Sequence, residues 1–277
     1  MNITESVGAG LTRVWQVSDV LVDTRTDYQH LVIGKTAQGI SLFCDDERQS
    51  TELSQLVYHE ALLVPALLLA AEVNRVLVVG SSEGVVCQLA VQAGASVVDH
   101  VDIDAQAVRL CARHLPYGYS AAELAAAERG DGAIRVHYAD GWEFIRTATE
   151  KYDIVVVDLP DEQDGTDAQH NRLYGTDFLR LCRNLLTPGG VVVYQGGCPT
   201  LWRNSTLVKC WQRFTETFPA PVYFGSDEHE WAFLFGTELD APVEIMLRRW
   251  ASLPYRPETI DEHTLRGSTV PPLSLRH

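Results

Sequence analysis

From Arg75 onward the chain alternates uninterrupted apolar runs with segments of helical spacing. Val76-Leu-Val-Val-Gly80, Val97 to Asp102, Ile134 to Tyr138, Ile154-Val-Val-Val-Asp158 and Val191 to Tyr194 read as strands. Val85 to Ala93, Ala105 to His114 and Phe178 to Leu186 read as helices, the first ending at Gly94 and the last closed by Pro188-Gly189-Gly190. Continuous Val/Ile runs belong to strands covered on both faces, which predicts an α/β protein with a parallel sheet wrapped by helices. Val222-Tyr-Phe and Trp231 to Phe235 bring the sheet to seven strands, and its last strand is expected to be antiparallel.

The chain before this region is patterned differently. Trp15 to Val22 alternates loosely, Tyr28 to Ile33 is strand-like, and Gly34 and Gly39 mark two hairpin-like turns. Between Glu52 and Val73 the pattern becomes helical, with Leu53, Leu56, Val57 and Glu60 three to four residues apart. The expectation is a small N-terminal β-domain over residues 1–54 and an α/β domain over residues 55–277. After Ala241 the pattern weakens, and Pro254 and Pro271-Pro272 favour turns over a long helix.

Apolar residues make up 46% of the 277 and charged residues 21%, as in a globular protein. The formal charge of −15 disfavours nucleic acid and anionic membranes and favours cationic small molecules. Six scattered cysteines without a CxxC fit a reducing compartment. MNITESVGAG lacks a basic segment followed by an apolar one, so no signal peptide is expected, and the apolar run Ala61 to Ala71 is too short to span a bilayer. The expectation is a cytoplasmic protein.

In such a sheet, ligands sit outside the carboxyl ends of the strands. Four strand ends carry a glycine turn or carboxylates: Gly80-Ser-Ser-Glu83-Gly84, Asp102-Ile103-Asp104, Asp140-Gly141 and Asp158-Leu-Pro-Asp161. Glycine in the first turn lets the backbone approach a ligand and leaves helix N-terminal amides free. Asp102 lies 22 residues after Gly80, the spacing at which a second-strand carboxylate accepts from ribose hydroxyls. A helix N-cap explains Asp104 better than Asp102. Asp227-Glu228-His229-Glu230 is expected to be a solvated or cation-facing loop, because consecutive residues rarely converge on one metal ion.

Tyr28-Gln29, Tyr58-His59-Glu60, the glycine turn, Asp102-Ile-Asp104, Asp140-Gly141, Asp158-x-x-Asp161 and Tyr194-Gln195-Gly196 stand in the order found in the spermidine synthases. Over roughly residues 20 to 240 the chain resembles these polyamine aminopropyltransferases. The resemblance implies a Rossmann-like, class I methyltransferase-type sheet. It also implies decarboxylated S-adenosylmethionine as co-substrate, with no tightly bound cofactor or metal, a cationic amine as acceptor, and a homodimer. Asp102 would hold the ribose, Ile103 would lie against the adenine, and Asp140 would accept from the adenine amino group. Gln29 and His59 would lie beside the aminopropyl group, and Glu83 would meet its primary amine. Tyr58 would line the acceptor channel, where Asp158 and Asp161 would face the amine.

The chain also departs from the family pattern. Its turn is G-S-S-E-G where the family has G-G-G-D-G, and Gly225 to Glu230 replaces a segment that contacts the acceptor. Two other readings therefore stay open. One is a methyltransferase or aminocarboxypropyltransferase using intact S-adenosylmethionine; the other is a nucleoside-binding homologue without catalysis. Methyltransferases of this class usually carry an acidic residue two positions before the first glycine, where this chain has Val78.

Overall fold

The computed structural model describes all residues except 9, 164–167, 227–229 and 277. Strands β1 (Asn2–Gly8) and β2 (Leu11–Gln16) pair as a two-stranded ribbon. Strands β3 (Val20–Arg25), β4 (His30–Thr36), β5 (Gly39–Cys44) and β6 (Glu47–Thr51) form an antiparallel four-stranded sheet. Gly39 opens β5 after a turn, at φ +82°. Gly34 lies inside β4 instead of in the expected turn. A Cβ there would sit 2.5 Å from Val17 and 2.8 Å from the Asp19 carbonyl, so close packing rather than turning requires glycine.

Helix α1 (Gln55–Leu69) follows, and then the βα units begin. They run β7 (Arg75–Gly80), α2 (Val85–Gln92), β8 (Val97–Asp102), α3 (Ala105–His114), α4 (Ala121–Arg129), β9 (Ile134–Tyr138), α5 (Gly141–Thr147) and β10 (Tyr152–Asp158). The chain continues through α6 (Thr176–Asn184), β11 (Leu186–Gly197), α7 (Ser205–Thr217), β12 (Val222–Gly225) and β13 (Ala232–Gly236). The seven strands lie in the order β12-β13-β11-β10-β7-β8-β9. Parallel pairing links β9 through β11, and β13 runs antiparallel to both neighbours, as the sequence predicts. Pro188-Gly189-Gly190 lies within β11 rather than before it. Its register slips there, and the Gly189 carbonyl accepts from Ala71 N at 3.0 Å.

Val76, Val78, Ile154 and Val156 pack on one face of the sheet, and Leu77, Val79, Val155 and Val157 on the other. This two-sided burial is why those strands read as unbroken apolar runs. From Ala61 to Leu69 every residue of α1 is buried, because the helix packs against both the sheet and α8 (Pro242–Arg249). The tail ends in short helices, α8 and α9 (Glu262–Ser268). Among the described residues no helix is long and apolar enough to cross a membrane.

Glu60 is fully buried in α1. Its carboxylate accepts from the Tyr255 hydroxyl at 2.6 Å, the Glu258 and Thr259 amides at 2.8 and 2.7 Å, and the Thr259 hydroxyl. One charged side chain thus ties the tail to the core. Glu60→Ala removes the shared acceptor of these part-buried donors and leaves a cavity in the core, and we expect a loss of ~3 kcal/mol in unfolding free energy. Denaturant unfolding measures it, and amide exchange should rise first around residues 255–259.

Candidate active site

The parallel register sets the strand ends side by side: Asp158 pairs with Gly80 and Asp102 with Tyr138. A cavity of about 480 Å³ opens over them, walled on the other side by the β5–β6 hairpin. Gln29, Tyr58, His59, Gly80, Glu83, Asp102, Ile103, Asp140, Gly141, Asp158 and Asp161 all line it. One site therefore gathers every residue singled out from the sequence as a candidate.

Gly80 has φ +83°, and a Cβ on it would meet the Asp158 carbonyl at 2.1 Å, so only glycine passes here. Ser81 also takes a left-handed backbone, at φ +60°, a conformation costly for a residue with a Cβ. Gly141 begins α5, where a Cβ would come within 2.7 Å of Val79. Glu83 is buried, and burial pushes its carboxyl above the usual range.

Asp102 is 6% exposed. It accepts from the Asp104 amide at 2.8 Å and from the Ser82 hydroxyl at 2.7 Å. Burial outweighs these bonds and pushes its carboxyl up to about 6. Ser82 thus takes up an Asp102 oxygen at a position where the family pattern has glycine. Asp104 caps α3 by accepting from the Ala107 amide at 3.0 Å, as its sequence position suggests. Its other oxygen takes the Gln29 amide at 2.9 Å and the Thr26 hydroxyl at 2.6 Å, so Gln29 is anchored to the strand end. Asp140 caps α5 through the Trp142 and Glu143 amides, and its outer oxygen faces Gln169 and Arg172. Both of its oxygens are engaged within the chain.

At the other end of the cavity, the Tyr58 hydroxyl donates to Asp158 Oδ1 at 2.6 Å. The Tyr58 ring is held edge-on by Trp231 and Phe233, at 5.6 and 5.0 Å. Asp158 is half-buried, and desolvation raises its carboxyl above the ordinary range. His59 Nδ1 lies 2.6 Å from the Gln55 carbonyl, which can only accept, so Nδ1 carries the proton. Burial lowers the pKa of this ring and keeps it neutral.

Asp161 differs from the expectation of a carboxylate open to an amine. It accepts from Gln195 Nε2 at 2.8 Å and faces Arg203 Nε at 3.4 Å. An arginine 42 residues later in the chain already balances its charge. Of the expected solvated or cation-facing loop, Glu230 takes the cation-facing form, with Arg13 and Arg48 at 2.6 and 3.0 Å; residues 227–229 lie outside the described residues. Sequence reasoning missed Glu47, Arg48, Gln49, Arg203 and Trp231 as cavity residues. The signal was the polar run from Asp45 to Thr51, which follows the mostly apolar strand Gly39–Cys44.

A seven-stranded sheet of this order, with a glycine turn and carboxylates at its strand ends, is a Rossmann-like fold of the methyltransferase type, in which ligands bind outside the carboxyl ends of the strands. The spermine/spermidine synthase domain matches residues 55–224, so the chain belongs to that family and is a transferase. It is 30% identical to polyamine aminopropyltransferase 2 of Hyperthermus butylicus over 88% of this chain and 79% of that protein. To the polyamine aminopropyltransferase of Pseudomonas syringae pv. tomato it is 26% identical over 89% of this chain and 86% of that one. A spermidine synthase solved with the transition-state analogue AdoDATO shares the fold, with a TM-score of 0.85, 18% identity, and coverage of 100% of this chain and 95% of that one. The spermidine synthase of Thermotoga maritima does so at 0.82 and 16%, covering 100% and 94%.

The Asp102 carboxyl gives a pH signature. It is charged above about 6 and protonated below, so a ligand that needs it as an acceptor loses affinity as the pH falls through that value. Methylthioadenosine binding, followed by calorimetry, should be flat above pH ~7 and weaken up to ~10-fold per unit below about 6. Asp102→Asn should flatten the profile. A wild-type affinity unchanged down to pH ~5 would remove Asp102 from the nucleoside site.

Proposed function

We propose that this chain transfers the aminopropyl group of decarboxylated S-adenosylmethionine to a di- or polyamine, releasing methylthioadenosine. The observation that carries the reading is Asp158, a desolvated carboxylate on the cavity wall held by Tyr58 and without a cationic side chain within ion-pair distance among the described residues. An amine with a pKa of ~10 arrives protonated and cannot attack carbon. Asp158 binds that ammonium and takes one proton. The freed lone pair then attacks the methylene beside the sulfonium, a C–N bond forms, and the C–S bond breaks toward sulfur. Methylthioadenosine leaves neutral, and the proton passes from Asp158 to solvent. Positioning supplies much of the acceleration.

In this reading Asp102 holds the ribose, with Ile103 against the adenine and Asp140 near its amino group. Gly80 and Gly141 give the backbone clearance, and Gln29 and His59 flank the aminopropyl arm. Residues 1–54 act as a β-domain covering the catalytic domain 55–277. A homodimer working in the cytoplasm belongs to the same proposal. The family match and the aminopropyltransferase relatives support it, as does the absence of an acidic residue at Val78.

Two tests follow. Asp158→Asn keeps a hydrogen-bond acceptor for Tyr58 but removes the base, so kcat should fall ~10²–10⁴-fold with donor affinity nearly unchanged. A kcat near the wild-type value with a cationic acceptor would transfer the base role to another group. The second test concerns Glu83, which faces the donor's terminal ammonium in this reading. Intact S-adenosylmethionine would bring a second carboxylate, and two like charges ~4 Å apart repel by ~4 kcal/mol at an effective dielectric near 20. We expect the decarboxylated donor to bind at least ~10-fold tighter in competitive calorimetry. Equal or tighter binding of the intact donor would favour the methyl- or aminocarboxypropyltransferase reading.

A further inference from the structure

The cavity end around Asp158 holds a charge balance that the sequence does not display. Arg13 lies 3.6 Å from Glu5 and 2.6 Å from Glu230, and Arg48 lies 3.0 Å from Glu230. Arg203 faces Asp161 at 3.4 Å and Glu5 at 3.9 Å. Arg13, Arg48 and Arg203 thus offset Glu5, Glu230 and Asp161 one for one. Arg48 lies between Trp15 and Trp231, with ring centroids at 5.6 and 4.6 Å, and Arg13 lies over Trp15 at 5.6 Å.

Two carboxylates at this end have no ion pair among the described residues. Asp158 has the Tyr58 hydroxyl and no ion pair among the described residues. The second is Glu47, which opens β6 opposite Cys44, after the turn at Asp45 and Asp46. Both turn residues have positive φ, 49° and 66°, the conformation that makes the tightest hairpins. Such a turn fixes the register, and with it the direction of the Glu47 side chain. Glu47 is half-buried and lines the cavity, and its carboxylate takes no hydrogen bond or ion pair among the described residues. Burial raises its carboxyl against the opposing pull of the Arg203 guanidinium, which it shares with Asp161 without forming an ion pair of its own, and these two neighbours put it at the same end of the cavity as Asp161. A desolvated carboxylate without a partner is costly, and a ligand ammonium removes that cost.

We propose that Glu47 receives the far ammonium of the acceptor while Asp158 holds the reacting nitrogen, so that the site selects a linear dication. The assignment rests on aminopropyl transfer being the reaction. It gives the specificity role to Glu47 and leaves Asp161 as the partner of Arg203. Two cavity carboxylates without ion pairs match the two positive charges of a diamine.

The test compares 1,4-diaminobutane with butylamine, which lacks the second ammonium, in the full chain. Glu47→Gln should raise KM for the diamine at least ~10-fold. It should leave the inhibition constant of butylamine and the affinity for methylthioadenosine within about twofold, as expected when only the far contact is lost. Glu47→Asp keeps the charge and should recover most of the loss. An equal loss for both amines, no loss for the diamine, or a diamine-selective loss in Asp161→Asn with none in Glu47→Gln would each overturn the assignment. If the unaltered chain binds methylthioadenosine yet makes no product from the diamine, the aminopropyl-transfer reading falls, and this assignment with it.

Discussion

The structure depends on keeping a carboxylate charged at the end of β10, where little water reaches it. Asp158 is presented by a strand whose other residues are buried, and it receives a hydrogen bond from Tyr58. That bond spans 100 residues and joins the first helix to the centre of the sheet. Desolvating a charge without pairing it costs several kcal/mol, and the amine of the proposed reaction would offset that cost. Asp102 carries the same tension at the donor end, where burial pushes it up to about 6 despite two hydrogen bonds.

The fold meets this demand by sharing the work between its two parts. The parallel sheet brings Gly80, Asp102 and Asp158 to one edge, and the Gly80 backbone passes the Asp158 carbonyl where no Cβ would fit. The N-terminal strands supply the opposite wall: Gln29 and Thr26 on Asp104, and the β5–β6 hairpin with Glu47 and Gln49. Arginines then decide which carboxylates remain open. Arg172 closes Asp140 and Arg203 closes Asp161, whereas Asp158 has no such partner among the described residues.

Much of this is legible in the sequence, for local reasons. Strands buried on both faces announce themselves as unbroken Val/Ile runs. Ligand-facing carboxylates fall where those runs stop, so Asp102, Asp140 and Asp158 stand out by position alone. The N-cap role of Asp104 is local too, since its bond is to an amide three residues on. What stayed hidden depends on partners distant in sequence: Arg203 against Asp161, Glu230 held by Arg13 and Arg48, and Glu47 brought to the cavity by its hairpin. Gly34 and Pro188-Gly189-Gly190 were misplaced for a related reason. Their signals are turn signals, but one makes room for Val17 and the other forms an irregularity inside β11.

The central claim is that cavity carboxylates without ion pairs recruit two cations, a sulfonium donor and an amine, and set them up for transfer. The most direct measurement incubates the full chain with 1,4-diaminobutane and either decarboxylated or intact S-adenosylmethionine, and identifies the products by mass spectrometry. The account predicts methylthioadenosine together with the amine extended by one aminopropyl group, from the decarboxylated donor alone. A methylated or aminocarboxypropylated amine from the intact donor, with nothing from the decarboxylated one, would contradict it.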